Sequence, residues 1–177
     1  MKHLPLLVIL FFLNVTISYS QPTTFSFKRP IISKLDSIEY ANHGKTFYYN
    51  GITFSVSKNY FPHADSFKLG QPINSSRQKG PTNINICYYY SLPDSVIRLS
   101  EYSWDQSKGA TPSLNEIFTT NATLISKYFG NNGKTKLEDH EDWTQKTTIW
   151  ENKEVHVEQF MVSSEYTNRV RVLISWK

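Results

Sequence analysis

The chain has 177 residues, with 19 Lys and Arg against 15 Asp and Glu, a formal net charge of +4. Aromatic residues reach 15% and charged residues only 19%. That balance excludes a disordered chain and a collagen-like or low-complexity one, and a single cysteine excludes an internal disulfide or a cysteine zinc site.

The first 20 residues read as a secretory signal peptide. Lys2 and His3 give a basic start, and Leu4 to Leu13 is apolar apart from Pro5. Ser18-Tyr19-Ser20 then sets small residues at the cleavage positions before Gln21. The apolar run falls well short of the ~20 residues that span a bilayer. Cleavage, export to a secreted or periplasmic location and no stable membrane insertion afterwards are therefore expected. A lipid anchor on a processed cysteine is excluded, because the one cysteine is Cys87. Removing 20 of 177 residues leaves 157, enough for one domain over 21–177.

Residues 21–43 form a polar lead-in with Pro22 and Pro30, in which Ile31, Ile32 and Leu35 are the docking candidates. Thr46–Tyr49 and Ile52–Val56 flank Asn50-Gly51, the strongest short hairpin signal, because both turn positions need positive φ. Residues 57–83 are broken by Pro62, Gly70, Pro72, Gly80 and Pro81. They read as a functional loop or as cover for a short hidden element. A second strand pair, Ile84–Tyr90 and Val96–Trp104, is rich in β-branched and aromatic residues and turns at Leu92-Pro93-Asp94-Ser95.

One helix is expected over 113–129. Ser113 and Glu116 form a capping box, and Gly130 supplies a left-handed stop. Leu114, Ile117, Phe118, Leu124, Ile125 and Tyr128 recur at helical spacing, with Asn121 on the same stripe. The last 44 residues, 134–177, hold neither Gly nor Pro and read as a β-meander turning near Asn152-Lys153 and Ser164–Asn168. Alternation places Thr148, Trp150, Val155, Val157, Met161, Val170, Val172, Ile174 and Trp176 on a core face. Ile149, His156, Glu158, Phe160, Arg171 and Leu173 fall on the other, half-polar face. The whole is an α+β domain: an antiparallel sheet of hairpins plus a C-terminal meander, covered on one face by a single main helix.

Functional signals are sparse. No nucleophile elbow, zinc-protease helix, phosphate-binding loop or dinucleotide fingerprint occurs, so no catalytic residue and no cofactor is assigned. The positive charges are scattered, which argues against nucleic acid. Glu138-Asp139-His140-Glu141-Asp142 lacks the spacing of a calcium loop and reads as a solvated turn, with no metal expected. Glu154, His156 and Glu158 alternate onto one strand face, and Glu158 is expected to pair with Arg169 or Arg171 across strands. Cys87 lies in a strand-like run without a cationic neighbour and reads as a buried, unreactive thiol. Asn74-Ser75-Ser76 and Asn121-Ala122-Thr123 match the glycosylation sequon.

Adjacent tyrosines at 48–49 and 88–90 must put rings on both strand faces, and tyrosine suits recognition surfaces. The leading expectation is a non-catalytic module that binds a protein or small ligand, using an aromatic sheet face or the 57–83 loop. Its candidate contact residues are Tyr48, Tyr88, Tyr90, His156, Glu158 and Arg171. The alternatives are a small metal-dependent or hydrolytic enzyme built on His156 and Glu158 or the 138–142 cluster, and a structural envelope component.

Overall fold

The computed structural model describes residues 25–48, 56–58, 60–62, 64–79, 82–105 and 112–177. The signal segment 1–20 and the Asn50-Gly51 turn lie outside the described residues. A 3-10 turn over Ile32–Lys34 leads into helix α1 (Leu35–Ala41) and strand β1 (Gly44–Phe47). Strands β2 (Ile73–Lys79), β3 (Thr82–Ser91) and β4 (Val96–Asp105) follow. Helix α2 (Leu114–Phe129) precedes β5 (Lys134–Asp139), β6 (Trp143–Glu151), β7 (Val155–Ser164) and β8 (Asn168–Trp176). The eight strands among the described residues form one antiparallel sheet in the order β1-β2-β3-β4-β8-β7-β6-β5. The fold is α+β, and it is also two helix-plus-four-strand halves joined where β4 pairs with β8.

β1 is hydrogen-bonded to β2, Thr46 facing Ser75. The 57–83 stretch contains a hidden element, one of the two readings expected of it: strand β2, together with a 3-10 turn at Ala64–Ser66. β2 was hidden because its inward positions after Ile73 are Ser75 and Arg77, buried polar residues where a strand pattern expects hydrophobes. The lead-in carries α1, which buries Leu35 and Glu39 one turn apart, and Phe25 sits in the core.

The meander alternates as its sequence does. Trp150, Val157, Val172 and Ile174 are fully buried on the face that α2 covers. α2 presents Ile117, Phe118, Asn121 and Ile125 to them. Leu124 and Tyr128 fall at the margin of that stripe, 41% and 48% exposed, and Tyr128 stacks on Phe27 instead at 4.1 Å. Two polar side chains at this layer bond to backbone carbonyls. Gln159 Nε2 donates to the Phe118 carbonyl at 2.7 Å, and Trp150 Nε1 donates to the Asn131 carbonyl at 3.2 Å. The capping box closes as expected: Glu116 N–H donates to Ser113 Oγ, and Ser113 N–H donates to Glu116 Oε2. Losing such a cap costs about 1 kcal/mol. Gly130 ends the helix at φ +70°, a conformation that a side chain would strain.

On this face the first half is anchored by ionic chemistry. Glu39 of α1 is wholly buried and accepts from Arg77 Nε at 2.7 Å, Arg77 Nη2 at 2.6 Å and Ser75 Oγ at 2.8 Å. The Tyr88 hydroxyl donates to the same carboxylate. Burial alone would raise the Glu39 pKa, but the Arg77 hydrogen bonds and charge hold it below the usual carboxylate range.

Candidate ligand-binding site

The opposite face of the sheet is covered by described residues between Val56 and Gly70. Leu69 bridges to Ser91, Gly70 N–H donates to the Tyr90 carbonyl at 3.0 Å, and Leu92 N–H donates to the Lys68 carbonyl at 2.8 Å. These bonds fix one end of the covering segment. A Cβ at Gly70 would lie 2.8 Å from the ends of the Leu92 and Tyr90 side chains, which pack over it. Ahead of it, Phe61 and Phe67 lie parallel at 6.1 Å, and Tyr60 meets Phe160 edge-on at 6.2 Å. Phe61, Ala64, Tyr89, Leu99 and Leu173 form a small second core.

An ionic network ties this cover to the sheet. Arg171 of β8 pairs with Glu101 of β4 and donates to Tyr60 Oη at 2.9 Å. Tyr89 Oη donates to Glu101 Oε2 at 2.9 Å. Burial pushes the Tyr60 and Tyr89 hydroxyls well above their ordinary pKa, and the Glu101 charge adds to the shift. Both stay protonated and act as donors or neutral acceptors. Cys87 is half-buried beside them. Burial pushes its thiol up to about 11, so it is not a thiolate at neutral pH.

Where the cover crosses the end of the sheet it leaves a cleft of about 470 Å³. Its lining combines the aromatic side chains of Phe61, Phe67 and Trp176, the last only 9% exposed, with the basic side chains of Arg98, His156 and Lys177 and the polar Glu151, Ser66 and Ser175. Arg98 lies with its guanidinium over the Phe67 ring at 4.5 Å and pairs with Asp94 at its outer side. Lys177 Nζ is 2.7 Å from Glu151, and His156 Nδ1 is 3.9 Å from the same carboxylate. Arg29 donates to the Lys177 carbonyl at 3.0 Å. Its pKa is depressed by burial and by the Arg98 charge, so the basic groups crowd one another at this rim.

The expected site residues divide. His156, Glu158 and Arg171 share this face, as alternation required. His156 lines the cleft, whereas Glu158, two residues along β7, does not. Glu158 faces Leu173, and it pairs with neither Arg169 nor Arg171: those arginines are taken by Asp105 and Glu101. Desolvation without a cation raises the Glu158 pKa. Tyr88 presents no ring to solvent; it is 1% exposed, on the helix-covered face, bonded to Glu39. Tyr90 is half-buried and packs against the same core. Tyr48 is exposed near β1 and donates to Asp36 at 2.9 Å, far along the sheet from the cleft. The three tyrosines therefore build no common surface.

Glu138 and Asp139 end β5 in the open, His140 stacks on Trp143 at 3.9 Å, and no group of three metal-ligating side chains forms among the described residues. Neither sequon asparagine is a free surface group: Asn74 accepts from Cys87 Sγ at 2.9 Å, and Asn121 is 4% exposed. No helix among the described residues is long and apolar enough to cross a membrane. No family model, characterised protein or solved structure matches the chain.

Arg98, Glu151, Ser175 and Trp176 were missed as site residues. Two of them, Glu151 and Ser175, had a signal. Once the meander register is drawn, Glu151, His156 and Ser175 stand opposite one another across β6, β7 and β8. Arg98 had none, because β4 reaches β8 only through a pairing between distant segments.

Proposed function

We propose that this protein is an exported, non-enzymatic domain that binds a small anionic ligand with an apolar body in the cleft above β8. The single observation that carries the reading is the composition of that cleft: Phe61, Phe67 and Trp176 line it together with Arg98, His156 and Lys177. A flat apolar body gains from burial against Phe61, Phe67 and Trp176. An anionic head gains charge-assisted hydrogen bonds from the basic side chains, the stronger class of such bonds. Glu151 competes for Lys177, so ligand binding exchanges one anion for another. Export rests on the residue 1–20 pattern, and the mature chain isolated from its host should begin at Gln21.

Anilinonaphthalene sulfonate, an anion with an aromatic body, is a suitable probe for the native protein. It should bind with about 1:1 stoichiometry. Arg98→Gln should weaken it on the order of 10-fold or more, since a hydrogen bond to a charged group contributes roughly 1.5–3 kcal/mol. Glu151→Gln should tighten it. Absence of binding to the folded protein, or an unchanged Kd in Arg98→Gln, would overturn the proposal.

A second reading draws on the cross-strand row of Ser175, His156 and Glu151, the residue types of nucleophile, base and orienting acid in acyl transfer. Against it, His156 Nδ1 lies 3.9 Å from Glu151, beyond hydrogen-bond reach, and Lys177 holds that carboxylate. Turnover of nitrophenyl acetate that vanishes in Ser175→Ala would favour it; no turnover, or turnover that survives, removes it.

A further inference from the structure

A second cavity, of about 220 Å³, opens on the other face of the sheet, between the first turns of α2 and the adjoining ends of β3 and β4. Ile84, Trp104 and Ile117 give it apolar walls, and Glu116, Thr120 and Asn121 contribute from the helix. Asn121 occupies the buried stripe of α2 at 4% exposure, and its Nδ2 has no hydrogen-bond partner among the described residues. A buried amide donor without an acceptor is rare in folded proteins and calls for a partner. The space exceeds the roughly 150 Å³ that suffices to hold benzene in an apolar cavity. Glu116 stands at the wall with its carboxylate fixed by Ser113 N–H at 2.6 Å, and it repels anions.

We infer that this cavity is a second binding site, for a neutral aromatic molecule that carries one hydrogen-bond acceptor, such as a carbonyl oxygen facing the Asn121 amide. The ring lies against Trp104, Ile84 and Ile117, and the acceptor satisfies the Asn121 donor. The site is independent of the anionic cleft, since the two share no residue and lie on opposite faces.

Acetophenone and ethylbenzene, which differ in the carbonyl, test this on the full-length folded protein by two-dimensional NMR. Acetophenone should shift the Trp104 indole N–H and the Asn121 side-chain amide, and ethylbenzene should bind about tenfold more weakly, the worth of one neutral hydrogen bond. Asn121→Leu should abolish that preference and raise the melting midpoint by roughly 2–4 °C, because it removes an unpaired donor. Ile117→Phe keeps Asn121 but fills the space, and should block both probes. Equal affinities for the two probes, a preference that persists in Asn121→Leu, or no shift at Trp104 at the solubility limit of acetophenone would each overturn the inference.

Discussion

The two faces of this sheet each bury an arginine–glutamate pair, and the pairs differ in kind. Glu39 and Arg77 lie under α1 with side-chain exposures of 0% and 5%, and Ser75 and Tyr88 complete their hydrogen bonding. Glu101 and Arg171 lie on the opposite face at 5% and 20%; Tyr89 donates to Glu101 and Arg171 Nη1 donates to Tyr60, while Arg171 Nε has no hydrogen-bond partner among the described residues. The first pair joins a helix to the sheet in the half whose inward face is least apolar. The second holds a covering segment whose edge borders the ligand cleft. Removing charges from water is costly on either face, and ion pairing with hydrogen bonding is what makes it tolerable. The pair near the cleft keeps some contact with solvent, which leaves its cover freer to adjust.

The sharpest way to break this comparison is to remove one member of the deeper pair. Glu39→Gln leaves the Arg77 guanidinium buried without its counter-charge and should cost about 3–5 kcal/mol in denaturant titration. The double variant Glu39→Leu with Arg77→Met should recover most of that loss, because an apolar replacement carries no desolvation penalty. Acid should act in the same direction. The folded pKa of Glu39 is depressed, so its contribution is present above the unfolded value of about 4.3 and is lost as pH falls through the lower folded value. Melting midpoints of the wild-type chain should fall below pH 4 more steeply than those of the double variant.

Arg171→Met is the matching test on the other face. It strips Glu101 of its cation, but Tyr89 still donates to that carboxylate, so the expected cost is smaller, about 1–3 kcal/mol. Its distinctive effect is local. Tyr60 loses its donor, and amide hydrogen exchange over 60–70 should accelerate while exchange in α2 stays unchanged. Uniform acceleration across both faces would mean that the cover does not open independently of the core.

What the sequence made legible follows the same division. The α2-covered layer of the second half could be read because apolar residues mark it at the right period: Trp150, Val157, Val172 and Ile174 on the strands, Ile117 and Ile125 on the helix. The first half could not, because its inward positions include Glu39, Ser75 and Arg77, which local patterning assigns to solvent. Their burial depends on pairing among α1, β2 and β3. The Asn50-Gly51 hairpin signal likewise says nothing of β2, which is the partner of β1 among the described strands. His156 and Arg171 could be placed on one face by alternation alone. Tyr88 could not be sorted from Tyr89, since neighbouring tyrosines look alike until the register fixes which of them meets Glu39. The cleft joins residues from four distant segments and has no local signature beyond the Glu151–His156–Ser175 row.

The smallest expected effect is the most specific to this contrast. Glu158 is a partly buried carboxylate on the cleft-bearing face that has acquired no cation, unlike Glu39 and Glu101. Desolvation raises its folded pKa, so the sign is opposite to that of Glu39: its ionised form opposes folding above the raised folded value, and the penalty fades as pH falls and the group protonates. Glu158→Gln removes the charge and keeps the shape. It should therefore stabilise the protein at pH 7, by no more than about 0.5 kcal/mol once solvent screening is allowed for. The difference from wild type should close on acidification to pH 4. If Glu158→Gln instead destabilises at neutral pH, the carboxylate has a favourable partner on this face, and the contrast with the paired carboxylates Glu39 and Glu101 fails at that residue.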